Sequence, residues 1–259
     1  MDFTFGIITG GNADNFISKI VVSIEEQEIP NYEIIIVGNT NISGNNISVI
    51  KFDENIKRIW ITKKKNLICE KAKYENVVLL HDYVCLDKDW YKGFLKFGDN
   101  FQYCITKIKT IDGKRFRDFT LFPYGLEPLF QDNCLFPYLY EPSNDIKKLM
   151  YISGAYYIIK KNIALTYPLN ENLCWGNGED AEISQRLATN NIHIVCNSYS
   201  STSLLKDKDK CHWEIELTDE QLKQLEGFSK NIIDNFFKKQ KNHVRNWIYS
   251  VCNITYLPY

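Results

Sequence analysis

The sequence predicts an α/β domain built on a mostly parallel central sheet flanked by helices. Three observations carry this reading. Short apolar runs of strand length recur at residues 3–9, 32–37, 47–52 and 76–80. Helical periodicity separates them, and 259 residues with 44% apolar and 24% charged side chains suffice for one sizeable core. Near-continuous apolar strands are what a sheet covered on both faces requires. The same composition disfavours disordered, collagen-like and coiled-coil architectures.

The first run, 3–9, ends at Gly10-Gly11, and the pattern after it places Phe16, Ile20 and Ile24 on one helical face. The second, 32–37, stops at Gly38-Asn39. After 47–52 a helix is expected over 66–74, then the fourth strand. Residues 99–150 break the alternation, being rich in Phe, Tyr, Pro and Asp with weak periodicity. This stretch includes Lys114-Arg115-Phe116-Arg117-Asp118 and Leu121-Phe122-Pro123-Tyr124-Gly125. A long irregular stretch within a compact domain is more often functional than accidental.

Order resumes at 151–159, a strand opened by the small-residue corner Ser153-Gly154-Ala155. A loop over 170–178 leads to a helix from Glu179 to about Asn190, and 192–196 reads as a further strand. From Thr218 the chain is expected to be helical, with capping-box character in Thr218-Asp219-Glu220-Gln221. The expected division is one domain over 1–217 and a helical extension over 218–259.

The 31 Lys and Arg residues nearly balance 32 Asp and Glu, giving a net charge of −1 and no broad electrostatic case for nucleic acid as a partner. Any bound anion must then be held by a local site. Aromatic residues are abundant at 14%, which suits stacking on sugars or bases, although core filling accounts for them more simply. No apolar run approaches the ~20 residues that span a bilayer, and Met1-Asp2-Phe3-Thr4 opens a strand rather than a basic-then-apolar leader, so a cytoplasmic location is expected. The eight cysteines lie far apart with no Cys-x-x-Cys pair, as reduced thiols would.

Three places can carry chemistry. Thr9-Gly10-Gly11 lets backbone amides approach a phosphate or base, but a dinucleotide fold would want Gly-x-Gly-x-x-Gly and an acid where Gly38-Asn39 stands. His81-Asp82-Tyr83 follows an apolar strand, at the sheet edge where open α/β folds bind ligands; its carboxylate can hold a cation or simply cap a turn. The most specific is Asn172 to Glu182, where Trp175 sits beside Gly176 and Gly178 in an expected flexible flap. Glu179, Asp180 and Glu182 then crowd the first turn of a helix, whose dipole favours negative charge. Such a carboxylate can act as a general base or merely cap the helix.

In order and spacing these pieces resemble the GT-A-fold glycosyltransferases of the large family 2 type. Residues 175–182, with Arg186-Leu187, are also similar to the Trp-Gly-x-Gly-Glu-Asp motif of family 7 galactosyltransferases. The resemblance spans roughly residues 3–215 and is specific at 172–187. It implies sugar transfer from a nucleoside-diphosphate donor, UDP- or GDP-linked, to a glycan or glycoconjugate hydroxyl with inversion. It further implies a donor half over about 1–98 and an acceptor half over about 99–217. By the same resemblance Asp180 is the base and Glu179 holds the acceptor, with Trp175 and Gly178 beside it. Thr9, Gly10, Gly11, Asn39, Lys65, Asn66, Asp82 and Gly154 surround the donor.

The family's Asp-x-Asp metal motif reads His81-Asp82-Tyr83 here, so one carboxylate remains. The resemblance places His212 as its partner, and Asp82 with His212 would hold Mn²⁺ or Mg²⁺. Without a metal, Lys63, Lys64, Lys65, Arg115 and Arg117 are the available cations, although a charge run more often forms just a solvated face. The tail carries Ile233, Phe236, Phe237, Val244, Trp247, Ile248 and Val251 at helical spacing beside basic residues, so it packs on the domain, pairs two copies or lies peripherally on a membrane. Rival readings are a binding module that has lost catalysis and a sugar nucleotidyltransferase. The latter wants a cationic first loop, which residues 9–14 lack.

Overall fold

A computed structural model describes residues 1–121, 134–207 and 215–227. The expected parallel core is formed by β1 (Phe3–Ile8), β2 (Tyr32–Val37), β3 (Ile47–Ile50) and β4 (Asn76–His81), whose side chains are almost all buried in β1 and β4. Between them run α1 (Asp14–Glu25), which buries Ile17, Ile20, Val21 and Ile24, and α2 (Ile61–Lys71). The chain continues through β5 (Val84–Leu86), α3 (Trp90–Phe97), β6 (Tyr103–Lys109), β7 (Thr120–Leu121), β8 (Cys134–Leu135), α4 (Asn144–Lys147) and β9 (Met150–Tyr151). It then forms β10 (Tyr156–Lys160), α5 (Lys161–Thr166), α6 (Glu179–Thr189), β11 (Ile194–Leu204), β12 (Ile215–Glu216) and α7 (Asp219–Glu226).

The main sheet has eight strands in the order β3-β2-β1-β4-β10-β6-β11-β5. Its first four strands are mutually parallel, β10 runs antiparallel to both β4 and β6, β11 is parallel to β6, and β5 is antiparallel to β11. The sheet is therefore mixed on its β10 side, where a wholly alternating pattern of strand and helix breaks down. A second, four-stranded sheet, β12-β8-β7-β9, lies on the 99–217 side.

Several expectations shift. The stretch 99–150 is not irregular throughout, because β6 runs through it as an interior strand of the main sheet. Its residues Tyr103, Cys104, Ile105 and Ile108 are buried, but intervening Thr and Lys obscure the apolar run. Helix α2 starts at Ile61, not 66, and the lysine run inside it is not a solvated face: Lys64 and Lys65 are 2% and 1% exposed. β11 extends from the expected 192–196 to Leu204 through a register shift between Asn197 and Ser201. The capping box at Thr218 forms as expected, while the tail from 228 onward lies outside the described residues. No helix among the described residues is long and apolar enough to cross a membrane.

One glycine sets how deeply α2 sits. A Cβ on Gly6 of β1 would lie 2.2 Å from Ile68 Cγ2 and 3.1 Å from Ile68 Cβ, so only glycine lets α2 settle against this strand. Ile68 is fully buried and has nowhere to retreat. Gly6→Ala is expected to destabilise the fold by about 1–3 kcal/mol in urea unfolding, as overpacking does. An unchanged midpoint would show that the helix is not held at this distance.

Candidate functional site at the carboxyl ends of the strands

Ile8 and His81 are register partners across the parallel pair β1 and β4, so Thr9 and Asp82 follow side by side at the carboxyl edge. Thr9 Oγ1 donates to Asp82 Oδ2 at 2.7 Å, the Asp82 amide donates to Ile8 O at 3.2 Å, and Gly11 N donates back to Thr9 Oγ1 at 3.1 Å. Beside them opens a cleft of about 580 Å³, lined by Gly10, Gly11, Asn12, Asp14, Asn39 and Thr40 with their neighbours. Asp14, in the first turn of α1, fixes the far wall by accepting Thr40 Oγ1 at 2.6 Å and the Asn41 amide at 3.3 Å. Those bonds, the Thr40 hydroxyl foremost, hold its carboxyl below the ordinary carboxylate range.

The second cluster lies where the Ser153-Gly154-Ala155 corner meets α6. His81 N donates to Ala155 O at 2.9 Å, which joins this corner directly to the strand end bearing Asp82. Gly154 N donates to Asp180 Oδ2 at 3.0 Å, and Lys65 Nζ, reaching up from α2, donates to Gly154 O at 2.6 Å. A Cβ on Gly154 would stand 2.6 Å from Glu179 Oε1 and 3.2 Å from Asp180 Oδ2, so the missing side chain is space that both carboxylates occupy. Arg117 Nη2 closes the cluster with an ion pair to Asp180 Oδ2 at 2.9 Å.

The two carboxylates live in different surroundings. Glu179 is buried, and desolvation first, then the charge of Asp180, push its carboxyl up to about 7 against the pull of Lys65. Burial likewise lowers Lys65, which Glu179 and Asp180 counteract. Asp180 sits half-buried at the helix start with Gly154 N, Ala181 N and Arg117 as donors.

Of the residues marked by the sequence, Thr9 and Asp82 are bonded to each other, and Gly10, Gly11 and Asn39 line the cleft. Gly154, Glu179, Asp180 and Lys65 form one cluster. Asn66 faces elsewhere: its amide bonds Leu169 O and accepts from Leu169 N, both at 2.9 Å, and reaches Glu171 at 3.0 Å. Gly178 is the N-cap of α6, with φ +69°, and Trp175 is 55% exposed. The Trp175 loop is less free than two flanking glycines imply, because Trp60, Thr62 and Lys57 hold the carbonyls of Glu171, Leu173 and Asn172, and Trp175 N donates to Ile59 O at 3.2 Å. His212 lies outside the described residues. Among the described residues no group of three His, Cys, Asp or Glu side chains is placed to hold a metal. Sequence reading missed the Arg117 pairing, which joins residues 63 positions apart with no local signal.

No family model and no curated protein matches the sequence. Solved structures do. One is GalNAc-T7 crystallised with UDP, GalNAc and Mn²⁺, at 12% identity and a TM-score of 0.57 over 80% of this chain and 43% of that one. Another is S. aureus TarS 1–349 in complex with UDP-GlcNAc, at 14% identity and 0.53 over 91% and 70%. Both are GT-A-like glycosyltransferases.

The chain has the GT-A fold.

It spans less than half of the GalNAc-T7 chain, and at these identities the likeness is one of architecture. The GT-A sheet presents the Thr9–Asp82 edge and the Gly154 corner on the same side, joined through the His81 to Ala155 bond.

The raised Glu179 carboxyl gives the site a pH signature. Its folded value lies above the ordinary 4.5, so between about 4.5 and 7 the unfolded chain releases a proton that the folded protein keeps. The site's contribution to stability therefore falls as pH rises through this window and stays lost above it. Glu179→Gln, which mimics the protonated acid, should melt like the wild type at pH 5 and at a higher temperature at pH 8. An equal difference at both pH values would contradict the shift.

Proposed function

We propose that this protein is a glycosyltransferase that moves a sugar from a nucleoside-diphosphate donor, UDP- or GDP-linked, to a hydroxyl of a glycan or glycoconjugate acceptor, with inversion at the anomeric carbon. The observation that carries this reading is the carboxylate pair Glu179–Asp180, tied through Gly154 and Ala155 to the strand edge of a GT-A sheet. The architecture is shared with proteins crystallised with UDP or UDP-GlcNAc, which supports a nucleotide-sugar donor.

In this reading residues 1–98 and 99–217 are the donor and acceptor halves. Thr9, Gly10, Gly11, Asn39 and Asp82 bound the nucleotide cleft. Lys65 and Asn66 set the walls rather than reach the phosphates, since both are committed to backbone carbonyls. Asp180 takes the proton of the acceptor hydroxyl as that oxygen attacks the anomeric carbon and the bond to the diphosphate breaks. Glu179, about half protonated at neutrality, donates a hydrogen bond to the acceptor in its acid form, and Trp175 offers an exposed ring for a sugar face.

Asp82 is the described residue fitted to a divalent cation, with one oxygen engaged by Thr9, and His212 is its proposed partner. A cation there would neutralise charge on the departing diphosphate.

The test joins binding to turnover. A panel of UDP- and GDP-linked sugars, with and without Mn²⁺, should yield one donor that raises the melting temperature. Asp180→Asn should keep that shift and lose about 10²–10⁴-fold in transfer, the usual worth of a general base. Retained transfer rejects Asp180 as the base, and a rate unchanged by EDTA rejects the Asp82–His212 cation.

A further inference from the structure

Asp180 is already engaged by three donors. Its Oδ2 accepts Gly154 N at 3.0 Å and Arg117 Nη2 at 2.9 Å, and its Oδ1 accepts Ala181 N at 2.9 Å. Both lone pairs of Oδ2 are therefore taken and one remains on Oδ1, so an acceptor hydroxyl can reach Oδ2 only when one of its donors leaves. Two of the three donors are backbone amides fixed by the Gly154 corner and the α6 helix. Only the Arg117 side chain can leave.

Lys51 lines the cleft and Lys206 Nζ lies 4.2 Å from the centre of the Tyr83 ring, but neither touches the carboxylate pair, and the cations nearer that pair are committed. Lys64 bonds Thr9 O at 2.8 Å and pairs with Glu54, Lys65 bonds Gly154 O, and Arg115 holds the buried Asp118 through two nitrogens and also Glu216. Arg117 differs in that its ionic partner is itself a site residue. It also lies near the donor edge: its partner Asp180 holds Gly154 N, and the next carbonyl, Ala155 O, accepts His81 N, one residue before Asp82. One guanidinium is thus linked through the Gly154–Ala155 corner to the Asp82 strand end.

We propose that Arg117 is shared between Asp180 and the diphosphate of the bound donor, so that nucleotide binding draws the guanidinium off Asp180 and opens that carboxylate to the acceptor hydroxyl. The inference rests on the glycosyltransferase reading. A diphosphate offers several anionic oxygens to a planar fork of donors, where Asp180 offers a single oxygen. Donor binding then precedes productive acceptor binding, and Oδ2 of the base is opened only beside a sugar nucleotide.

Competition for one cation fixes signs that a structural role does not. The probes are UDP and uridine, or GDP and guanosine if the uridine pair is not bound, titrated calorimetrically into wild type, Asp180→Asn, Arg117→Gln, Arg117→Lys and the Asp180→Asn/Arg117→Gln double variant. Arg117→Gln should weaken diphosphate binding by about tenfold or more, the scale of one charge-assisted pair, and leave the nucleoside unchanged. Arg117→Lys, which keeps the charge and loses the fork, should fall between.

Asp180→Asn should tighten diphosphate binding severalfold without affecting the nucleoside, and this gain should vanish in the double variant. Unchanged or weaker diphosphate binding by Asp180→Asn overturns the proposal, as does a gain that persists without Arg117, which would be plain charge repulsion. A wild type that binds neither diphosphate overturns the transferase reading along with it, whereas a wrong sign on a protein that does bind one overturns the Arg117 role alone.

Discussion

The site depends on a lysine ammonium buried beneath a glycine carbonyl. Removing an ammonium from water is costly unless charge and hydrogen-bond partners replace the solvent. Lys65 has both: its Nζ donates to Gly154 O at 2.6 Å, lies 5.2 Å from the centre of the Tyr157 ring, and shares the cluster with Glu179 and Asp180. The arrangement exists because α2 lies close on β1 at Gly6 and because Gly154 has no side chain where the Glu179 carboxyl must sit. Two glycines and one lysine, far apart in sequence, hold the corner of the sheet against the start of α6.

That corner separates the behaviour of two neighbouring carboxyl groups. Glu179 points into the buried side and titrates near neutrality, whereas Asp180 faces backbone amides and a guanidinium. Adjacent carboxyls in unlike environments are a recurring way to obtain one proton donor and one proton acceptor at the same pH. Nothing in this division requires motion of the backbone around Trp175, whose loop is tied down by side chains of 57, 60 and 62 at residues 171–173 and by the Ile59 carbonyl at residue 175.

Much of this was legible in the sequence where the signal is local. The strands 3–8, 32–37 and 76–81 are near-continuous apolar runs, and α6 announces itself through Gly178 followed by three acids within four residues. The strand β6 was not legible, because Thr106, Lys107 and Lys109 interrupt its apolar pattern although it lies inside the main sheet. Lys64 and Lys65 looked like surface residues for the same reason that any lysine run does; their burial depends on partners from β1 and the Gly154 corner. The Arg117 to Asp180 pair and the turn of Asn66 toward Leu169 are long-range contacts that periodicity and composition do not encode.

The central claim is that one edge of the GT-A sheet joins a nucleotide cleft to the carboxylate pair. Amide chemical shifts recorded during a UDP or GDP titration of the whole protein test it most directly. Perturbations are expected at residues 9–11, 39–41 and 82, continuing through Gly154 to the first turn of α6. Perturbations confined to another face of the sheet, with these amides unmoved at saturation, would contradict it.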